Sequence, residues 1–433
     1  MKRALIISYY WPPSGGGGVQ RWLKMSAFMR SNGWEPIVYT PENPAFDVKD
    51  ASLIKDVDPS IEIIKKKIFE PVEVFQSAFK LIGKKPPQQK DFISDRNASF
   101  FQRFATYLRG NYFIPDPRVT WVVPSLKFLK DYLKKHPVDA IITTGPPHSM
   151  HLIGLNLKKK FPNLVWVSDF RDPWSEWDLL DVLKTKERAR RKHQALERKV
   201  LQNSDLVISI SPYHVERLIA LGAKRCELIN NGYDARDFEG TTKQRTDYFL
   251  IRHLGSVDEL RDPRPFVLAL KSLLDQRKIE ATDLKIEFIG PVNNAFRDFI
   301  KEKELDEIIS FHPAVPHSSV VGLYRSSTLL LLILAHSDIA AGNMPGKMYE
   351  YMASGTPIFG IGPENGDAAA LIHATSSGRV MERSNQNAME EMLLKHYLAW
   401  KNDTMLTTKG APDYSREALT QKFCKLLDNL INN

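Results

Sequence analysis

Lys347 and Glu350 stand three positions apart in the stretch Gly342–Phe359, GNMPGKMYEYMASGTPIF. Their neighbours Met348, Tyr349, Tyr351, Met352 and Ala353 make an apolar helix. Such a helix rarely carries an acid on its inner face without a use for it. A carboxylate there is an acceptor suited to a sugar diol. Pro345 fits the first helical position, which puts Lys347 in the first turn and Glu350 one turn on. The backbone amides of Gly342, Asn343 and Met344, the helix start and the Lys347 ammonium together suit a diphosphate. A core helix with a snorkelling lysine is the alternative reading.

A second donor set opens the chain. In YYWPPSGGGGVQR, Gly15, Gly16, Gly17 and Gly18 lie between an apolar run and a helix. Strand, glycines, helix N-terminus is an anion-binding order. The run is neither G-x-G-x-x-G nor a P-loop, because no Lys-Ser/Thr follows. A merely flexible loop is the alternative.

Two further stretches carry polar chemistry. WVSDFRDPWSEWD holds Asp169, Arg171 and Asp172 just past the end of a strand, where open α/β sheets bind ligands. These three are the candidate catalytic residues, orienting an acceptor; an internal Arg–Asp salt bridge is the alternative. TTGPPHSMHLIG places His148 and His151 at a helix start. A metal pair needs another ligand and none is evident, so His148 is a candidate acceptor contact. Asp56 and Asp58 form a D-x-D, but in a polar stretch before Pro59, which reads as a solvated loop.

Strands and helices alternate around these motifs. Strands are predicted at Ala4–Ser8, Pro36–Thr40, Asp139–Thr143, Leu164–Ser168 and Leu206–Ser209, with helices near Val19–Ser31, His151–Lys160 and Lys184–Gln202. Asn32-Gly33 ends the first helix. A second series starts near Tyr248, with a linker at Ala235–Gln244 before it. Alternation of this kind argues an α/β fold of two doubly wound parallel sheets. The expected domains are 1–236, 245–412 and a C-terminal helix in 413–433. An insert, about 68–121, holds the loop-like KLIGKKPPQQKD and the aromatic, basic SFFQRFATYLRGNYF. The latter is suited to a membrane surface, or to packing its aromatics into its own domain.

The chain has 433 residues, 43% hydrophobic and 26% charged, an ordinary globular composition. No apolar run reaches the roughly 18–20 residues of a membrane span. The short apolar run after MKR reads as a strand, not a signal peptide. Two cysteines, Cys226 and Cys424, make no disulfide framework or zinc cluster, as fits a reducing cytosol. The net charge of +9 suits an anionic partner, or simple solubility. The basic residues are scattered, which disfavours nucleic acid.

Taken together, YYWPPSGGGGVQR, the passage Asp205–Phe238, the strands of IEFIGPV and TLLLLIL, and MPGKMYEYMASGTPIFG resemble the retaining glycosyltransferases of family 4. The resemblance covers nearly the whole chain. It implies the GT-B fold, two Rossmann-like domains facing across a cleft, and a nucleoside-diphosphate-sugar donor such as a UDP- or GDP-sugar. It implies no metal and no cofactor. By resemblance, Glu350 binds the donor ribose and the glycine loop lies by the donor phosphates. Ala314, Val315 and Pro316 flank the base, and the last helix crosses back to the first domain. Two departures stand out. Gly342 occupies the place where the family often has a second glutamate, so that role falls to backbone amides or Asn343. The family's phosphate-binding Arg and Lys are replaced by Arg261 and Arg264 in LGSVDELRDPRPF, with Lys347 as a third cation. The expected acceptor is a glycan or lipid-linked precursor of a surface polysaccharide. The expected place is the cytoplasm, in peripheral contact with an anionic membrane. A sugar-nucleotide epimerase on the same fold and a silent nucleotide-sugar-binding scaffold are the rival readings.

Overall fold

The computed structural model describes residues 1–46, 48–70, 100–336, 340–404 and 406–432. KLIGKKPPQQKD lies outside the described residues. The chain divides into two compact units, Met1–Asn230 with Leu419–Asn433, and Asn231–Ala418.

Unit 1 is built on a seven-stranded sheet. Its strands are β1 (Lys2–Ile7), β2 (Trp34–Pro41), β3 (Glu62–Lys66), β4 (Ala140–Gly145), β5 (Val165–Phe170), β6 (Leu206–Ser209) and β7 (Cys226–Leu228). Every pairing is parallel, in the order β3-β2-β1-β4-β5-β6-β7. The chain reverses direction across the sheet between β1 and β4, the switch point at which α/β sheets bind ligands. Both faces of β1 are covered. Ala4 and Ile6 pack in one cluster with Trp22, while Leu5 and Ile7 pack in another with Trp121 and Trp166. A strand buried on both faces reads as a continuous apolar run, which is why the sequence betrayed it. The edge strands β3 and β7 went unseen. They are short, and neither has a fully buried residue.

Helix α1 (Gly17–Met29) begins two residues earlier than its apolar pattern suggests, taking Gly17 and Gly18 into its first turn. It ends through a short 3-10 turn at Gly33, whose φ of 82° is the left-handed conformation expected there. The aromatic insert forms α2 (Phe100–Asn111). Helix α3 spans Ser149–Lys160. The charged helix α4 (Glu187–Asn203) excludes Lys184, which has φ 51° and so cannot continue an α-helix.

Unit 2 repeats the plan with six parallel strands: β8 (Phe249–Leu254), β9 (Leu284–Ile289), β10 (Ile309–His312), β11 (Leu329–Ile333), β12 (Ile358–Ile361) and β13 (Gly378–Met381). Their order, β10-β9-β8-β11-β12-β13, is that of unit 1 without its last strand. The switch point falls between β8 and β11. Two helices matter for the chemistry, α5 (His317–Arg325) and α6 (Gly346–Ala353).

The last helix, α7 (Arg416–Asn432), places Phe423, Cys424 and Leu427 in the unit 1 cluster that holds Trp22. The Phe423 and Trp22 rings meet edge-on at 5.5 Å. Lys2 and Trp34 both reach Asp428. Unit 1 therefore depends on the last fifteen residues of the chain for part of its core. Truncating a buried phenylalanine costs about 3–5 kcal/mol. Phe423→Ala is expected to lower the unit 1 transition in calorimetry by that amount and to leave the unit 2 transition in place. An unchanged profile refutes it.

Candidate active site

In unit 1 the glycine loop is a braced turn. Gly15 N–H donates to the Val48 carbonyl, and Asp50 N–H to that of Pro13. Gly16 has φ 80°, which suits glycine, and a Cβ on Gly16 or Gly17 would meet nothing within 4 Å. The first turn of α1 has no side-chain cap and no acid. Its N–H groups are thus available to an anion from solvent.

The residues after β5 separate into different roles. Asp169 is fully buried. Its carboxylate pairs with Arg21 at 3.1 Å and accepts from Trp22 Nε1 at 2.7 Å and Thr144 Oγ1 at 2.9 Å. The internal salt bridge is therefore real, but its arginine is Arg21. Asp169 holds α1 against β4 and β5, and it offers no surface to an acceptor. Arg171 is also buried and donates to the carbonyls of Gly18, Gly145 and Pro146. It ties the glycine loop to the loop after β4. Asp172 is exposed to solvent. The protein mass around it still lifts its carboxyl above the usual range, against the pull of Arg171. Of the three, Asp172 alone faces outward.

His148 is 4% exposed, stacked on Trp174 at 5.1 Å, with Nε2 against the Pro173 carbonyl. Burial holds it well below its usual pKa. It is a neutral core histidine, and no acceptor reaches it in this arrangement. The D-x-D also serves structure: Asp56 pairs with Lys24 at 3.1 Å and Asp58 accepts from Ser60 N–H. Among the described residues, no group of three or more His, Cys, Asp or Glu is placed to hold a metal.

In unit 2, Pro345 is the N-cap of α6 and not its first residue, because its ψ of 138° is extended. Lys347 Nζ reaches the end of β8, donating to the Leu254 carbonyl at 3.0 Å. A Cβ on the next residue, Gly255 (φ 146°), would stand 2.6 Å from that nitrogen. Only glycine lets the ammonium lie at the switch point. Burial, and then the charge of Arg261, lower the Lys347 pKa to about 7. Burial and Lys347 likewise keep His253 neutral. Arg261 pairs with Asp258 at 2.8 Å, and Arg264 with Asp262. Both arginines are partly exposed, and the Asp258 loop is the common support of Arg261's backbone and side chain. Gly342 and Met344 are buried, and Asn343 N–H donates to the Ala340 carbonyl. Val315 is 36% exposed in the loop that leads into α5.

Glu350 is held at both of its carboxylate oxygens. Oε1 meets His317 Nε2 at 3.1 Å, and Oε2 accepts from Tyr324 Oη at 2.8 Å. Burial works against its charge. The hydrogen bond and charge of His317, then the Tyr324 hydroxyl, outweigh it and hold the carboxyl below its usual range. Sequence reasoning missed Arg21, His317 and Tyr324. The last two were legible only as polar residues seven apart on one helix face.

Residues 89–237 match the family model described as Glycosyltransferase Family 4. That match spans about a third of the chain. The architecture is GT-B. Sucrose-phosphate synthase from Thermosynechococcus elongatus superposes with a TM-score of 0.61 at 13% identity, over 100% of this chain and 97% of that one. A mutant of S. aureus TarM, in complex with fondaparinux, α-GlcNAc-glycerol and UDP, gives 0.56 at 12% identity over 100% of both chains. A putative UDP-N-acetylglucosamine 2-epimerase from Listeria monocytogenes gives 0.53 at 12% identity, over 99% of this chain and 96% of that one. Identities this low show the fold, and the fold is shared by transferase and epimerase. No curated protein matches the chain in sequence.

Two outcomes follow from these environments. Removing one member of a buried charge pair costs about 3–5 kcal/mol, so Asp169→Ala is expected to destabilise the unit 1 transition by that amount in calorimetry. Melting like the wild type would show that the pair holds nothing. The second concerns Lys347. With a free pKa near 7, it is partly neutral at pH 7 and a bound diphosphate returns its proton. Affinity for a nucleoside-diphosphate sugar, whose diphosphate stays ionised throughout, is therefore expected to be flat below pH 7 and to fall above it. Calorimetric titration between pH 6 and pH 9 checks this, and Lys347→Met is expected to flatten the profile.

Proposed function

We propose that this chain is a retaining glycosyltransferase. It moves a sugar from a nucleoside-diphosphate sugar to a glycan or lipid-linked acceptor during synthesis of a cell-surface polysaccharide or lipopolysaccharide. The observation that carries the reading is the pair on α6: a partly buried ammonium at the switch point of unit 2 and an ionised carboxylate one turn on. Together they suit the diphosphate and ribose of one ligand.

The chemistry asks for such a pair. Sugar transfer passes through an oxocarbenium-like state while the leaving diphosphate gains negative charge. In this proposal Lys347, Arg261 and the amides at the start of α6 meet that charge, with Asn343 and Gly342 beside the sugar. Val315 lies along the base. Within unit 1, the uncapped start of α1, with Gly15, Gly16, Gly17 and Gly18, suits an anionic group of a ligand. Asp172 orients the acceptor. Asp169 and Arg171 act through the loops that they hold, as positioning residues. The leaving phosphate takes the acceptor's proton, so no separate base is needed, and no metal or cofactor is assigned.

Supporting the acceptor class, the S. aureus TarM structure is a complex with UDP and α-GlcNAc-glycerol. Supporting a membrane face, Phe69, Phe104, Tyr112 and Val123 of unit 1 are each at least half exposed in or beside the insert, on a chain of net charge +9. No helix of the described residues is long and apolar enough to cross a membrane.

The test is a thermal-shift screen of UDP, GDP, ADP, CMP and their common sugar conjugates, on the wild type and on Glu350→Ala. A ligand that binds only the folded protein raises its Tm. One nucleotide class is expected to stabilise the wild type, and the variant is expected to lose the shift. With that donor and a lipid extract, the product is expected to keep the donor's anomeric configuration by NMR. A shift retained by Glu350→Ala sinks the site assignment. Turnover of the donor without any acceptor, giving an epimer, sinks the transferase reading.

A further inference from the structure

The Glu350 carboxylate is gripped from both ends by one helix. His317 opens α5 and Tyr324 lies seven positions on, about two turns away on the same face. Each supplies one hydrogen bond to a different oxygen of Glu350. Tyr324 is itself fixed. It is 2% exposed, its ring meets Tyr351 edge-on at 5.0 Å, and its carbonyl accepts from Thr356 Oγ1 at 2.9 Å. Burial, and then the neighbouring Glu350 charge, hold the phenol well above its usual range, so its hydroxyl keeps its proton and stays a donor.

An ionised carboxylate has about four acceptor positions, two on each oxygen. One donor per oxygen leaves one position open on each. The Glu350 side chain is 21% exposed, so those positions are within reach of solvent or a ligand. Two adjacent acceptors in one plane match two adjacent hydroxyls. A carboxylate already fixed by its neighbours does not have to be ordered when the ligand arrives.

We propose that His317 and Tyr324 are positioning residues that make Glu350 a two-acceptor reader of a vicinal diol, and that they set a preference for ribonucleoside over 2′-deoxyribonucleoside donors. The proposal rests on the donor-site reading of Glu350. A ribose 2′,3′-diol fills both open positions. A 2′-deoxyribose leaves one of those positions unfilled as the ligand covers it, and sites built to bond a hydroxyl reject the analogue that lacks it. Thymidine-type donors are thereby disfavoured. In a merely structural role the three residues would only hold α5 to α6, and sugar discrimination would not depend on them.

The experiment is calorimetric titration of the full chain with UDP against 2′-deoxy-UDP, GDP against 2′-deoxy-GDP, and inorganic pyrophosphate. The wild type is expected to bind one ribonucleotide about tenfold or more tightly than its 2′-deoxy form. Tyr324→Phe is expected to bring that ratio down towards one, chiefly by weakening the ribonucleotide, with pyrophosphate affinity unchanged. His317 is partly exposed and gives an independent variant: His317→Ala is expected to lose most of the preference. His317→Gln is expected to keep it, because its amide N–H stands near where Nε2–H stood. The proposal is overturned if the wild type shows no preference, or if Tyr324→Phe and His317→Ala weaken both sugars by one common factor or leave both unchanged. Glu350→Ala separates the two levels. If it abolishes the preference while the clamp variants keep it, the clamp alone fails. If it too keeps the wild-type preference, Glu350 is not the diol reader and the donor-site reading fails with it.

Discussion

One buried carboxylate, Asp169, governs how unit 1 presents its loops. Around it converge Arg21 and Trp22 from α1, and Thr144 from β4. Arg21 also donates to the carbonyls of Ile229 and Asn230. Apolar packing is non-directional, so it brings α1 to the sheet without choosing an exact seat. A desolvated ion pair is stable only with its partners in place, which makes it directional. The start of α1, and with it the glycine loop, is therefore seated by electrostatics upon a core assembled by burial. Arg171 extends the same device outward by holding the carbonyls of Gly18, Gly145 and Pro146 at once.

Unit 2 shows the opposite balance at two positions of a single helix. Burial wins at Lys347, and its charge is disfavoured until an anion arrives. Partners win at Glu350, and its charge is favoured before anything arrives. The difference lies in what surrounds each. Lys347 has one carbonyl as its hydrogen-bond acceptor and Arg261 among its charged neighbours, whereas Glu350 has a donor on each oxygen. The site thus carries a preset acceptor and a cation whose full strength depends on its ligand. That is a form of electrostatic preorganisation divided between the two ends of one substrate.

The parallel sheets were legible because the ends of the central strands are marked locally. Apolar runs stop at Gly145 or Gly255, and Gly33 closes the helix that precedes β2. Edge strands β3 and β7 were not legible, since a strand with little burial leaves little pattern. The helix α6 was read almost to the residue, its start displaced by one because Pro345 is extended. Side chains fared less evenly. Glu350 and Lys347 announced themselves by standing in an apolar helix. His148 looked like a contact because its motif is polar and near a strand end, but the aromatic stack that buries it comes from Trp174, in another loop.

The sequence by itself determined the succession of strands, glycine turns and helices, and which helix carries an acid beside a lysine. Those are properties of neighbours within a few positions, where the backbone period decides which side chains share a face. The tertiary structure alone decided the partners. Asp169 meets an arginine 148 positions away, and Glu350 meets a histidine 33 positions away. Strand order, with β4 placed beside β1 and β11 beside β8, creates those meetings. Local spacing holds no record of them, because a charge is paired or left free by distances in the fold and not by distances along the chain.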